Sequence, residues 1–121
     1  RPRRVGPIDL VATRYGCQIQ GATEVALTKL DVLSYMKEIP VCTQYEVNGE
    51  KTDDFPFTAV INEAKPVLTT VPGWGCDISG VRKYEDLPQA ARDYVEYIEK
   101  AIGVHISYVS VGAGRDEIIY R

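Results

Sequence analysis

Asn48-Gly49 is the feature that most restricts what this chain can fold into. A two-residue type I′ turn needs positive φ at both central positions, which Asn and Gly adopt at least cost. Residues 39–47 before it are rich in β-branched and aromatic side chains, and 50–54 return as a more polar run. An antiparallel hairpin is therefore expected here. Residues 88–102 carry a second strong signal. Leu87, Ala91, Tyr94, Ile98 and Ala101/Ile102 make one apolar stripe, with Pro88 expected at the first helical position and Gly103 just past the end. Glu85 and Asp86 before this helix and Lys100 near its end suit the helix dipole.

The rest of the chain fills in around these two elements. Ile8, Val11, Ala12, Tyr15 and Ile19 recur at helical spacing, with Asp9 as N-cap and Gly21 as terminator, which predicts a helix over 9–20. Residues 24–31 start as a short apolar run, read as a buried strand that leaves the sheet where the charges begin. A helical turn is expected over 32–37, a break at Phe55-Pro56-Phe57 and a short helix over 58–65, stopped by Pro66. Further strands are expected over 67–71, 104–111 and 116–121, and Trp74 is expected to cap the core. The class is α+β, a mixed sheet with an antiparallel hairpin and flanking helices, in one unit over 1–121.

Charge and cysteine usage exclude several chemistries. Three of the 14 Lys and Arg residues stand among the first four positions, which leaves 11 against 17 acidic residues in the remainder. A nucleic-acid binder would spread its cations over one face, so no nucleic-acid partner is expected. No apolar run approaches the ~20 residues of a membrane helix, so no membrane partner is expected either. Cys17, Cys42 and Cys76 are odd in number and widely spaced, and His105 is the only histidine. This suits reduced thiols in the cytoplasm; it does not suit a zinc site, a redox pair or a Cys/His or Ser/His/Asp catalytic set. The chain does not begin with Met, and Arg1-Pro2-Arg3-Arg4 is not followed by an apolar secretory core, so we expect a segment of a longer protein.

Three stretches can carry recognition. Thr28-Lys29-Leu30-Asp31 ends a strand. An Asp there can accept from the ring N1–H and exocyclic amine of guanine, two parallel donors that adenine lacks, while a Lys stem covers the base face. A buried carboxylate left unpaired by the wrong base gives discrimination. The same residues are also what an ordinary charged strand exit looks like. Val109-Ser110-Val111-Gly112-Ala113-Gly114-Arg115 is a strand followed by a Gly-rich turn, which lets backbone groups approach a flat ligand, or simply turns a hairpin. No phosphate-loop pattern G-x-x-x-x-G-K-[ST] occurs. Arg1-Pro2-Arg3-Arg4 is either a solvated end or a set of guanidinium forks for carboxylates and phosphates.

Taken in order, these stretches resemble the C-terminal part of adenylosuccinate synthetase. The match includes Arg1-Pro2-Arg3-Arg4 with Asp9, Leu27 through Leu33, Pro72-Gly73-Trp74, Ser79-Gly80-Val81, Glu85-Asp86-Leu87-Pro88, Ile98-Glu99, Ile102-Gly103-Val104 and Ser110-Val111-Gly112. The resemblance implies a piece of a larger P-loop-related α/β ligase, a cytoplasmic homodimer, which uses GTP and Mg²⁺ to join IMP and L-aspartate in AMP synthesis. It implies that Lys29, Leu30 and Asp31, with Ser110, Val111 and Gly112, bind the guanine of GTP. It implies that Arg1, Pro2 and Arg3 bind aspartate and IMP, with Arg3 also near the GTP. The catalytic residues and the Mg²⁺ ligands belong to the part upstream, so the segment alone is expected to be inactive. Two positions depart from the family pattern. Gly112-Ala113-Gly114-Arg115 stands where the family usually runs Gly-Pro-Asp-Arg, and Pro7 stands where an aromatic is common. The alternatives are a fragment of a regulatory GTPase, which also uses T-K-L-D, and a plain α+β interaction module.

Overall fold

A computed structural model describes residues 5–56 and 60–121. The expected break at Phe57, the start of the helix expected over 58–65, and Arg1, Pro2 and Arg3 lie outside the described residues.

Strand β1 (Ile8–Asp9) runs directly into helix α1 (Leu10–Gln20). Asp9 caps the helix: its Oδ1 accepts the Ala12 N–H at 2.9 Å, satisfying one of the four free donors of the first turn. Gly21 ends it at φ 64, its N–H reaching back to the carbonyls of Cys17 and Gln18. The buried face differs from the one read off the spacing. Leu10, Val11 and Cys17 are buried, whereas Ile19 is 68% exposed and Ile8 belongs to β1. The helix begins later than the apolar pattern suggests, because Ile8 and Asp9 are already paired with Val41 and Cys42.

Strand β2 (Glu24–Leu27) follows, then a 3-10 turn at Leu30–Leu33 in place of the helical turn expected over 32–37. The long strand β3 (Glu38–Val47) forms the expected hairpin with β4 (Glu50–Thr52), and both turn residues take positive φ, Asn48 at 53° and Gly49 at 80°. After a 3-10 turn at Ile61–Glu63, β5 (Lys65–Pro72) lies antiparallel to β3 along most of its length. Pro66 therefore sits inside a strand and does not end a helix. That is tolerated because β5 pairs with β3 alone, and an edge strand can lack an N–H.

Helix α2 (Gln89–Ile102) is the keystone of the core. Pro88 is its N-cap rather than its first helical residue: its ψ of 149° is extended, and its carbonyl accepts from Ala91 and Arg92. Ala91, Tyr94, Ile98 and Ile102 are buried, as the stripe predicts, and so is Val95, which the stripe leaves out. Trp74 packs at the rim, its ring edge-on to Tyr94 at 5.7 Å and its N–H donating to Ser34 Oγ at 3.1 Å.

A second, three-stranded sheet has the order β2, β6 (His105–Ser110), β7 (Ile118–Tyr120). β2 is parallel to β6, and β7 is antiparallel to it. β2 is not the fully buried strand expected: as an end strand it packs Val25 and Leu27 against the core and leaves Glu24 and Ala26 exposed. A bulge pairs Val25 with Ile106 and Ala26 with Tyr108, so Ser107 is the unmatched residue. The two sheets are each mixed, and with two helices they make the α+β class expected.

Candidate nucleotide-recognition site

The register of β2 on β6 decides where the recognition stretches lie. Leu27 is opposite Val109 in a parallel pair. Both chains therefore leave the sheet at the same edge, Thr28–Asp31 from one strand and Ser110–Gly112 from its neighbour. The turn at Leu30–Leu33 also packs against β6. Loops beyond the carboxyl ends of adjacent parallel strands are where open α/β sheets hold ligands.

The first loop is anchored in its middle. Leu30 is 1% exposed and belongs to the core, so its neighbours Lys29 and Asp31 are held at the surface on either side of it. Lys29 takes φ 62, ψ 34. Apart from Asn48 in the hairpin turn, it is the one described non-glycine residue in the left-handed region. A lysine there is disfavoured by ~1 kcal/mol, and such strain concentrates at sites that use it. Asp31 is half-buried, and among the described residues no donor bonds its carboxylate. An acceptor pair so placed can take two parallel N–H donors from a ligand.

The second loop is a tight, internally bonded turn. Ser110 Oγ donates to the Gly112 carbonyl at 3.0 Å, and Val111 N–H donates to the Glu117 carbonyl at 2.9 Å. Val111 is fully buried and Leu30 nearly so, so each anchors its loop to the core and leaves its neighbours at the surface. The turn closes on Glu117. Its N–H donates to Gly114 O at 3.1 Å, and its Oε1 accepts the Gly114 N–H at 2.9 Å. Sequence reasoning missed Glu117. The paired glycines 112 and 114 were the available signal, since they bracket the space its carboxylate fills.

Other polar clusters are structural. Tyr45 donates to Asp9 Oδ2, tying the α1 cap to β3. Burial, and then Asp9, raises the Tyr45 hydroxyl and the Cys42 thiol above their ordinary pKa values. His105, given no role from sequence, bonds Glu99 at 2.8 Å at the opposite end of β6 from Ser110. The cleft of about 380 Å³ between α1, α2 and β3, lined by Leu10, Arg14, Thr43, Tyr97 and Lys100, includes none of the recognition residues. Among the described residues no three His, Cys, Asp or Glu side chains converge for a metal, and no helix is long and apolar enough to cross a membrane.

Residues 1–119 match the family model for adenylosuccinate synthetase. The chain belongs to the adenylosuccinate synthetase family. It is 47% identical over 122 residues to the adenylosuccinate synthetase of Mycobacterium sp. (strain KMS), covering 100% of this chain and 28% of that protein. It is 48% identical over 120 residues to that of Bifidobacterium adolescentis, covering 98% and 28%. The solved structure of fully ligated adenylosuccinate synthetase from Plasmodium falciparum superposes with TM-score 0.93 at 33% identity, over 100% of this chain and 30% of that one. The chain thus spans 28% of the length of the curated adenylosuccinate synthetases it matches. With the family shown, neither a regulatory GTPase fragment nor a bare interaction module is favoured.

Proposed function

We propose that this chain is the guanine- and aspartate-recognition segment of a ligase that joins IMP and L-aspartate at the expense of GTP. In this reading Asp31 accepts from N1–H and the 2-amino group of guanine, and the Lys29 stem covers the base face. The Ser110–Gly112 backbone borders the other side, and Arg1 and Arg3, with Pro2 between them, clamp aspartate and IMP. The reaction activates a poor leaving group. The purine O6 attacks the γ-phosphorus of GTP and GDP departs; the aspartate amine then attacks C6, and phosphate leaves with the oxygen. The Mg²⁺ is assigned to the upstream part, no step here passes through it, and among the described residues no three His, Cys, Asp or Glu side chains group to hold a metal. Phosphoryl chemistry is assigned there too, and the segment alone is inactive. A homodimer in the cytoplasm completes the reading; the three unpaired thiols suit that compartment.

The observation that supports this is the parallel register Leu27↔Val109, which sets the Asp31 loop beside the Ser110–Gly112 turn. The test is Asp31→Asn in the full-length protein that carries this segment. An amide offers an acceptor to N1–H but a donor where guanine also has one, so KM for GTP rises by about 10²-fold. Xanthosine triphosphate, with a 2-oxo group, becomes the better substrate. An unchanged KM for GTP refutes the reading.

A further inference from the structure

We propose that Glu117 is a positioning residue for base recognition: its carboxylate is the internal template that holds the Ser110–Gly112 backbone in its binding shape. This rests on the guanine reading of that turn. Gly112-Ala113-Gly114 has two glycines in three residues, and such a turn has no fixed shape of its own. Three bonds to one residue supply it. Glu117 Oε1 accepts from Gly114 N–H at 2.9 Å, the Glu117 carbonyl accepts from Val111 N–H at 2.9 Å, and Glu117 N–H donates to Gly114 O at 3.1 Å.

The fit around the carboxylate is close. A Cβ on Gly112 would lie 1.9 Å from Glu117 Oε2, and one on Gly114 would lie 2.5 Å from Oε1. The turn is therefore wrapped around the side chain and not merely adjacent to it. The consequence reaches the ligand face through Gly112. The Gly112 carbonyl is the acceptor for Ser110 Oγ at 3.0 Å, so displacing Gly112 also frees the Ser110 hydroxyl. Glu117 makes no contact with the base in this scheme. It acts through the two residues that do.

The experiment uses the full-length protein carrying this segment, with variants Glu117→Ala, Glu117→Gln and Asp31→Asn. For Glu117→Ala, KM for GTP rises about ten-fold, the scale of one hydrogen bond to a charged group, while kcat and the KM values for IMP and aspartate stay within about two-fold. Glu117→Gln, whose amide oxygen still accepts from Gly114 N–H, restores KM for GTP to within about three-fold of the parent. The proposal is overturned if Glu117→Ala leaves KM for GTP unchanged while Asp31→Asn raises it. It is equally overturned if all three KM values move together, which is a general loss of structure. If Asp31→Asn has no effect on GTP, the guanine reading itself fails and this proposal falls with it. Should Glu117→Ala not accumulate as folded protein, Gly114→Ala decides by the same criteria, since its methyl group displaces the carboxylate from within the turn.

Discussion

Replacing Glu99 by Ala breaks a polar cluster remote from the recognition loops. The Glu99 carboxylate accepts from Arg121 Nη1 at 2.7 Å and Nη2 at 3.3 Å, from Ile106 N–H at 2.8 Å and from His105 Nδ1 at 2.8 Å. It thereby ties α2 to β6 and to the residue after β7. The side chains of Arg121 and Glu99 are only 13% and 24% exposed, and the guanidinium lies over the Tyr84 ring at 4.6 Å. Removing the carboxylate strands a largely buried cation and a fully buried backbone N–H. A fully buried pair broken in this way costs 3–5 kcal/mol, and partial exposure here reduces that to about 2 kcal/mol. The orphaned Ile106 N–H adds about 1 kcal/mol. The sum, about 3 kcal/mol, lowers the urea midpoint by about 2 M at an m-value near 1.5 kcal/mol/M. Equilibrium unfolding followed by the fluorescence of Trp74, the chain's one tryptophan, reads it. The effect also depends on pH. The Arg121 hydrogen bond holds the Glu99 carboxyl below its ordinary value of 4.5, so the pair's contribution is complete above that pH and lost as pH falls through the lower folded value. The gap between parent and Glu99→Ala therefore narrows on acidification below about pH 4.5. A midpoint shift under about 0.5 M, or a gap that stays constant from pH 6 to pH 3, refutes the reasoning.

Three further outcomes are expected. Ile98→Ala, at a position 1% exposed on the core face of α2, lowers stability by about 3 kcal/mol in the same urea assay through the cavity it leaves. Ser107→Ala raises stability by up to about 1 kcal/mol, because the Ser107 hydroxyl is buried in the β6 bulge with no partner; a loss of stability would show that it has one. Lys29→Gly relieves the left-handed strain and leaves stability within about 1 kcal/mol of the parent or above it, yet weakens GTP binding in the full-length protein, a split that calorimetry and unfolding resolve together.

Local signals survived into the structure where the physics is local. The Asn48-Gly49 turn, the Asp9 cap, the Gly103 terminator and the α2 stripe each depend on residues within a few positions of one another, and each is where its chemistry puts it. Partnership between distant strands left no such trace. Nothing near Ile8 shows that it pairs with Val41, so the apolar pattern there reads as helix. Nothing near Pro66 shows that it lies on an edge strand opposite Tyr45, so it reads as a stop. The division of the described strands into two sheets is likewise invisible to periodicity.

The recognition edge shows the same division, and it separates two kinds of evidence about function. Lys29, Asp31, Ser110 and Gly112 stand out in the sequence as residue types suited to a flat, hydrogen-bonding ligand. What makes them one candidate site is the pairing of Leu27 with Val109, a contact that no local reading contains. Lys29 adds a third kind. A side chain that tolerates many backbone shapes elsewhere is held here at φ 62, immediately before a residue sealed in the core. A glycine or asparagine would fit that backbone with less strain. The proposed guanine reading gives this strained lysine a use: its four-carbon stem would cover a base whose edge Asp31 holds.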